Sequence, residues 1–300
     1  MQTMLYNNLS EYFRKKYGQR IKKICVDGGF SCPNRDGKVG TGGCIYCGER
    51  GAGEHIRACE SIEKQVKTAL SAASENDKFL VYFQNFSNTY ADIETLKMRY
   101  NEALFDKRIV SLAIATRADC ISEEVASLIA EYSKRLDVWV ELGLQTANDK
   151  TAEIINRGYK TEVFDNAVKI LNKYNIPVVA HMIIGLPEET GADAIETARH
   201  ISSLGVFGIK IHSIYVMEGT LLADMYREKR YTPPTLSEFA ETAALCLGNI
   251  SDKIIVHRLT GDCPRDMLVA PEWNRDKYKI IEEINKKMRE LGIRQGSLTK

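Results

Sequence analysis

The chain has 300 residues, 44% of them hydrophobic and 27% charged, with a formal net charge of +1. This is the composition of an ordinary globular protein, and global charge gives no argument for a nucleic-acid partner. No apolar run approaches the ~18 residues of a membrane span, so no membrane association is expected.

Residues 1–20 are expected as a basic N-terminal helix. Met1 to Lys16 lacks the apolar core of a secretory signal, which points to a cytoplasmic chain with reduced thiols. Arg14, Lys15, Lys16, Arg20, Lys22 and Lys23 crowd together just before the next motif. They read as a solvated helix end or, if the substrate is RNA, as a phosphate-contact surface beside the active site.

A β-then-α rhythm fills residues 21–215. Strand-like runs fall at Ile21–Val26, Phe79–Phe83, Ile109–Ala115, Val138–Leu144, Val178–Ile184 and Gly208–Ile214. Amphipathic stretches lie between them, around Ile62–Ala73, Ile93–Phe105, Glu123–Tyr132, Val163–Tyr174 and Ala194–Leu204. Short, nearly continuous apolar strands separated by helices imply a parallel sheet covered on both faces. Six such units fit an α/β fold, a partial (β/α)6 TIM-like barrel; an open doubly wound sheet is the alternative. Residues 216–300 then form a C-terminal α-rich extension that closes the barrel or contacts substrate. It holds Pro233-Pro234, a helix near Ser237–Gly248, a short strand at Lys253–His257 and a basic helix near Lys277–Leu291.

Chemistry concentrates after the first strand. Cys32, Cys44 and Cys47 lie in one glycine-rich loop, with Gly37, Gly40, Gly42 and Gly43 between them. Three thiolates suit a [4Fe–4S] cluster with one iron left open to a small molecule. Zinc would want a fourth ligand, for which Cys25, His55 and Cys59 are the candidates. A zinc set of Cys44, Cys47, His55 and Cys59, or of Cys32, Cys44, Cys47 and Cys59, does not match the usual pair of CxxC knuckles, because only one is present. Cys25, inside a strand-like run, reads as a buried apolar thiol. Tyr46, between Cys44 and Cys47, is placed to lie against a planar base bound at the open iron.

The string Gly29-Phe30-Ser31-Cys32-Pro33-Asn34-Arg35-Asp36-Gly37 through Gly43-Cys44-Ile45-Tyr46-Cys47 resembles the radical S-adenosylmethionine (SAM) enzymes. Within them it is similar to the YhcC/YtqA branch, related to the radical-SAM half of the Elongator catalytic subunit. That branch carries an expanded C-x11-C-x2-C loop, and the resemblance continues in consistent order from about Gly18 to Lys277.

In parallel α/β proteins the C-terminal strand ends carry the chemistry. After the second strand, Gln84, Asn85 and Asn88 offer carbonyl acceptors, and the resemblance implies that they meet the methionyl amine of SAM. Strand three ends in Thr116-Arg117-Ala118-Asp119-Cys120, with Ala118 where the branch has proline; Arg117 holds an anionic part of substrate or pairs with Asp119. On strand four, alternation puts Glu141, Gly143 and Gln145 on the barrel interior, where ribose hydroxyls would be good partners for Glu141. The resemblance assigns the segment holding Glu141 and Gln145 to SAM, and Arg157 to its carboxylate, with Tyr159 replacing the histidine often seen next. The strand-five segment from His181 through Ile183 and Gly185 resembles the one that supports adenine. His181, His212 and Arg258 are further candidates on the catalytic and substrate side, each histidine having a purely structural reading beside the functional one.

The resemblance implies reductive cleavage of SAM to a 5′-deoxyadenosyl radical, with electrons from flavodoxin or ferredoxin. It points to a transfer RNA substrate, the wobble uridine, with its C5 carboxymethylaminomethyl group remodelled towards aminomethyl. The carboxylate would suit Arg117 or Arg258. The competing readings are a radical SAM enzyme acting on a small metabolite or protein, and a non-catalytic zinc-binding RNA module.

Overall fold

The computed structural model describes residues 4–51, 53, 54, 56 and 60–299. His55 and Cys59 lie outside them. In chain order the elements begin with α1 (Leu9–Tyr17), β1 (Ile21–Val26), α2 (Ile62–Ser71), β2 (Lys78–Phe83), α3 (Ile93–Ala103) and β3 (Ile109–Thr116). Next come α4 (Glu123–Ser133), β4 (Asp137–Gln145), α5 (Asp149–Ile154), α6 (Thr161–Lys173), β5 (Val178–Ile184) and α7 (Gly191–Ser203). The last third holds β6 (Gly208–Ser213), β7 (Val216–Met217), α8 (Leu221–Arg227), α9 (Leu236–Gly248), β8 (Ile255–Arg258), β9 (Leu268–Ala270) and α10 (Lys277–Glu290).

Seven parallel strands, in the order β1-β2-β3-β4-β5-β6-β8, form one curled sheet, the expected partial barrel. Its strands are apolar almost throughout because helices cover the outer face while the inner face closes on itself. Val81, Leu112, Ile114, Val140, Leu142 and Ile211 are all fully buried. The extension contributes more than helices: β8 pairs parallel with β6 and is the seventh strand of the barrel. Sequence order hides this, because α8 and α9 intervene between the two strands. β7 and β9 form a separate antiparallel pair. Helices α5 and α8, of 6 and 7 residues, are too short to display a helical repeat and were not expected. Among the described residues no helix is long and apolar enough to cross a membrane.

Helix α1 starts on an Asn8 cap and stops at Gly18, whose φ of 70° takes the left-handed turn that ends a helix. It plugs the end of the barrel where the strands begin. Phe13 is 4% exposed and packs 6.2 Å from the Trp139 ring, and Tyr12 meets Phe207 edge-on at 5.4 Å. The backbone N–H of Val256 donates to the Asn7 carbonyl, which ties this helix to β8.

The basic run is therefore not beside the cysteine loop. Lys16 pairs with Asp137 at the start of β4, and Lys22 with Asp77 just ahead of β2. Replacing Phe13 with alanine empties an aromatic site in this plug, and urea unfolding should show a loss of about 3–5 kcal/mol.

Candidate active site

The cysteine loop leaves β1 at the C-terminal ends of the strands. Its first turn forms where the N–H groups of Arg35 and Asp36 donate to the Cys32 carbonyl, and its last where Cys47 N–H donates to the Cys44 carbonyl. Two asparagines lock it to the segment after α5. Asn34 Nδ2 donates to the Asn156 carbonyl (2.6 Å), and Asn156 Nδ2 donates to that of Gly43 (2.8 Å). The Ile45 N–H also donates to the Ile155 carbonyl.

Burial pushes the Cys44 thiol up to about 12, with Cys47 adding to the rise and Arg117 opposing it. Burial raises the Cys47 thiol too, against the pull of Arg35. Cys32 acts electrostatically on both, so the three thiols are neighbours. Buried thiols of this kind become thiolates only against strong positive charge, and iron supplies it. Among the described residues no group of three His, Cys, Asp or Glu is drawn together tightly enough for a single metal ion. An iron–sulfur cube asks for a wider spread, with one thiolate at each of three corners. The donor set fits the cluster, and Cys32, Cys44 and Cys47 would hold it.

Beside this loop, inside the barrel, lies a cavity of about 130 Å³. Seven expected residues line it: Tyr46, Gln84, Gln145, His181, Ile183, His212 and Arg258. Tyr46 is the link to the cysteines; burial and the neighbouring Cys44 hold its phenol protonated. Residues not foreseen also line it, chiefly Tyr82, Lys210 and Tyr215.

Lys210 organises the cavity floor. Its ammonium is bonded to Glu141, lies 3.3 Å from the Tyr82 hydroxyl and sits 4.4 Å from that ring's centre. Glu141, 2% exposed, also accepts from Trp139 Nε1 (3.1 Å) and lies 2.7 Å from His181 Nε2. Burial alone would neutralise Glu141, but Lys210 and His181 outweigh it and hold the carboxyl well below its usual range. Burial brings Lys210 down to about 8 despite Glu141. Burial and the surrounding cations keep His181 and His212 neutral, their rings 5.2 Å apart. Glu141 is thus committed to three protein partners and is not offered to ribose hydroxyls. A lysine alternating with His212 along β6 was the available signal for this network.

Other expected residues serve the walls. Arg157 is 1% exposed, and its guanidinium donates to the carbonyls of Tyr159, Leu144 and Thr146 and to the Asp149 and Thr161 side chains. Those contacts use all five of its N–H groups, so none remains for a ligand carboxylate. Arg117 makes a two-pronged pair with Asp119 (2.9 and 2.6 Å) and lies over the Tyr159 ring, which places it against the loop and not in the cavity. Asn88 Nδ2 donates to the Ala115 and Asn85 carbonyls, and Asn85 Nδ2 to Asp27, which folds the turn after β2. The buried Oδ1 atoms of both residues have no hydrogen-bond partner among the described residues and stay available as the expected acceptors. Gly185, at φ 95°, packs against Pro234 and borders a separate groove beside α7 and α9. At the cavity mouth Asp262 lies between Arg258 (3.6 Å) and Lys277 (2.5 Å).

Comparison with known proteins agrees with this geometry. The Radical SAM superfamily pattern matches residues 36–201, and that of the Radical_SAM C-terminal domain residues 206–290. YtqA of Bacillus subtilis is 35% identical over 97% of this chain and 92% of its own length. YhcC of Escherichia coli K12 is 32% identical over 98% and 95%. The tRNA uridine(34) acetyltransferase of Dehalococcoides mccartyi is 32% identical over 63% of this chain, a match spanning 42% of that protein. Among solved structures, the archaeal Elp3 of Methanocaldococcus infernus superposes with a TM-score of 0.71 at 18% identity. It covers 92% of this chain and 64% of its own, which shows a shared fold. The chain belongs to the radical SAM superfamily, in the YhcC/YtqA branch related to Elongator protein 3, and its cofactors are a [4Fe–4S] cluster and SAM.

Proposed function

We propose that the protein modifies the C5 side chain of a transfer RNA wobble uridine, converting carboxymethylaminomethyl towards aminomethyl. The carbon beside the carboxylate would lose one hydrogen atom and return one electron to the oxidised cluster, and hydrolysis of the resulting imine would release its two carbons as glyoxylate. The observation that carries this reading is the cavity itself. It has the cysteine loop on one wall and two cations, Lys210 and Arg258, on another. Relatives named for uridine 34 chemistry and for Elongator supply the RNA context. When bound, the reduced cluster and SAM supply a carbon radical able to abstract hydrogen from an unactivated C–H bond.

The chain's own residues then do the positioning. Cys32, Cys44 and Cys47 hold the cluster, and Tyr46 presents an aromatic face between it and the cavity. Gln84 and Gln145 supply amides for SAM. Lys210 and Arg258 take the substrate carboxylate, with Glu141 and His181 fixing the ammonium of Lys210 in place. A flavodoxin or ferredoxin supplies the electron.

Because Lys210 loses its proton near pH 8, its grip on a carboxylate weakens above that value. The KM for substrate should rise by up to about tenfold per pH unit beyond 8, and Lys210→Arg should flatten that rise. The same pH profile in Lys210→Arg would remove Lys210 from this role.

A second reading, a small metabolite or protein substrate, draws support from the position of the basic run at the far end of the barrel. Nucleoside analysis of transfer RNA from a deletion strain of the source organism separates the two. Accumulated carboxymethylaminomethyluridine is expected; an unchanged wobble profile would leave the second reading.

A further inference from the structure

We infer that Arg35 is a positioning residue for the iron–sulfur cluster, holding Cys47 and setting the cluster's reduction potential through its charge. It departs from the turn that Cys32 begins, where the Arg35 N–H donates to the Cys32 carbonyl at 2.8 Å. Asn34 fixes that turn. It is fully buried, with one amide hydrogen on the Asn156 carbonyl (2.6 Å) and the other directed at Cys44 Sγ (3.9 Å).

From there the Arg35 side chain crosses the loop. Nη2 donates to the Cys47 carbonyl (3.1 Å) and to that of Gly48, and Nη1 to that of Glu49 (3.3 Å). The guanidinium acts electrostatically on the Cys47 thiol, favouring the thiolate, and lies 5.7 Å from the centre of the Phe86 ring. Its path exists because residue 43 is glycine. A Cβ there would sit 2.9 Å from Arg35 Nε, too close for the side chain to pass. Cys47 thus has a permanent cation held on its own carbonyl, within electrostatic reach of its thiol.

The reduced cluster carries one more negative charge than the oxidised one. Hydrogen bonds and positive charge at the ligating sulfurs favour the reduced state and raise the potential. Held on the carbonyls of Cys47, Gly48 and Glu49, the partly buried guanidinium acts over a short distance, so its removal is felt. Electron delivery from a weak reductant depends on that potential, which gives the residue a part in the reaction without contact with substrate.

The test is an EPR-monitored redox titration of anaerobically reconstituted full-length protein, without SAM, with iron counted in each variant. Arg35→Gln should bind iron as the parent does and titrate at a more negative potential, and Arg35→Lys should return the potential towards the parent value. An unchanged potential in Arg35→Gln, or an equal fall in both variants, would overturn the assignment. If Arg35→Gln binds no iron, Arg35→Lys decides. A restored cluster at the parent potential supports the charge; a missing or shifted one means the residue serves loop folding alone. Neither result depends on the identity of the substrate.

Discussion

Cys44→Ala is expected to abolish iron binding and SAM cleavage together. Cys44 is one of the three thiols of the loop that would hold the cluster. Iron should fall from about four atoms per chain to near zero, and 5′-deoxyadenosine to the level without enzyme. Cys25→Ala is the control. Cys25 lies half-buried on β1 among the aromatic residues of the lower barrel, and its loss should leave the iron content unchanged. Cys59→Ala should likewise leave it unchanged. Loss of iron in either control would contradict the ligand set.

Arg157→Met is expected to damage stability, not the affinity for SAM. The buried guanidinium gathers carbonyls from the end of β4, from the turn beyond it and from Tyr159. Removing it strands those carbonyls at a cost of about 1–3 kcal/mol each, partly relieved by relaxation. A total loss of about 3–5 kcal/mol in urea unfolding follows. Tyr159 lies against both Arg157 and Arg117, and Asn156 braces the cysteine loop, so the damage should spread to cluster retention. A variant as stable as the parent that binds SAM about tenfold more weakly would instead restore Arg157 as the ligand of the SAM carboxylate.

The contrast between these residues shows what the sequence made legible. The cysteine loop is one contiguous string, so its chemistry could be read directly, and the strand-end rule placed Gln84, Gln145, His181, His212 and Arg258 around one cavity. Strand boundaries were also readable, because parallel strands buried on both faces stand out as short apolar runs; β1 spans Ile21–Val26 as expected.

What stayed hidden depends on partners distant in sequence. Glu141 and Lys210 meet across β4, β5 and β6, and no local pattern tells a carboxylate that it will be spent on a lysine 69 residues away. Arg157 lies next to the loop's anchor and looks available until its acceptors are counted. The basic run suffers from the opposite error. It adjoins the cysteine loop in sequence, yet it ends in the first half of β1, and the six residues of that strand at ~3.3 Å each carry the chain from one end of the barrel to the other. β8 was readable as a strand, but its place in the barrel beside β6 was not, since two helices separate them.

The most direct measurement is product analysis of the purified protein, reconstituted anaerobically and incubated with SAM and dithionite. The expected result is about four irons per chain and formation of 5′-deoxyadenosine and methionine. Zinc in place of iron, with SAM recovered intact, would contradict it.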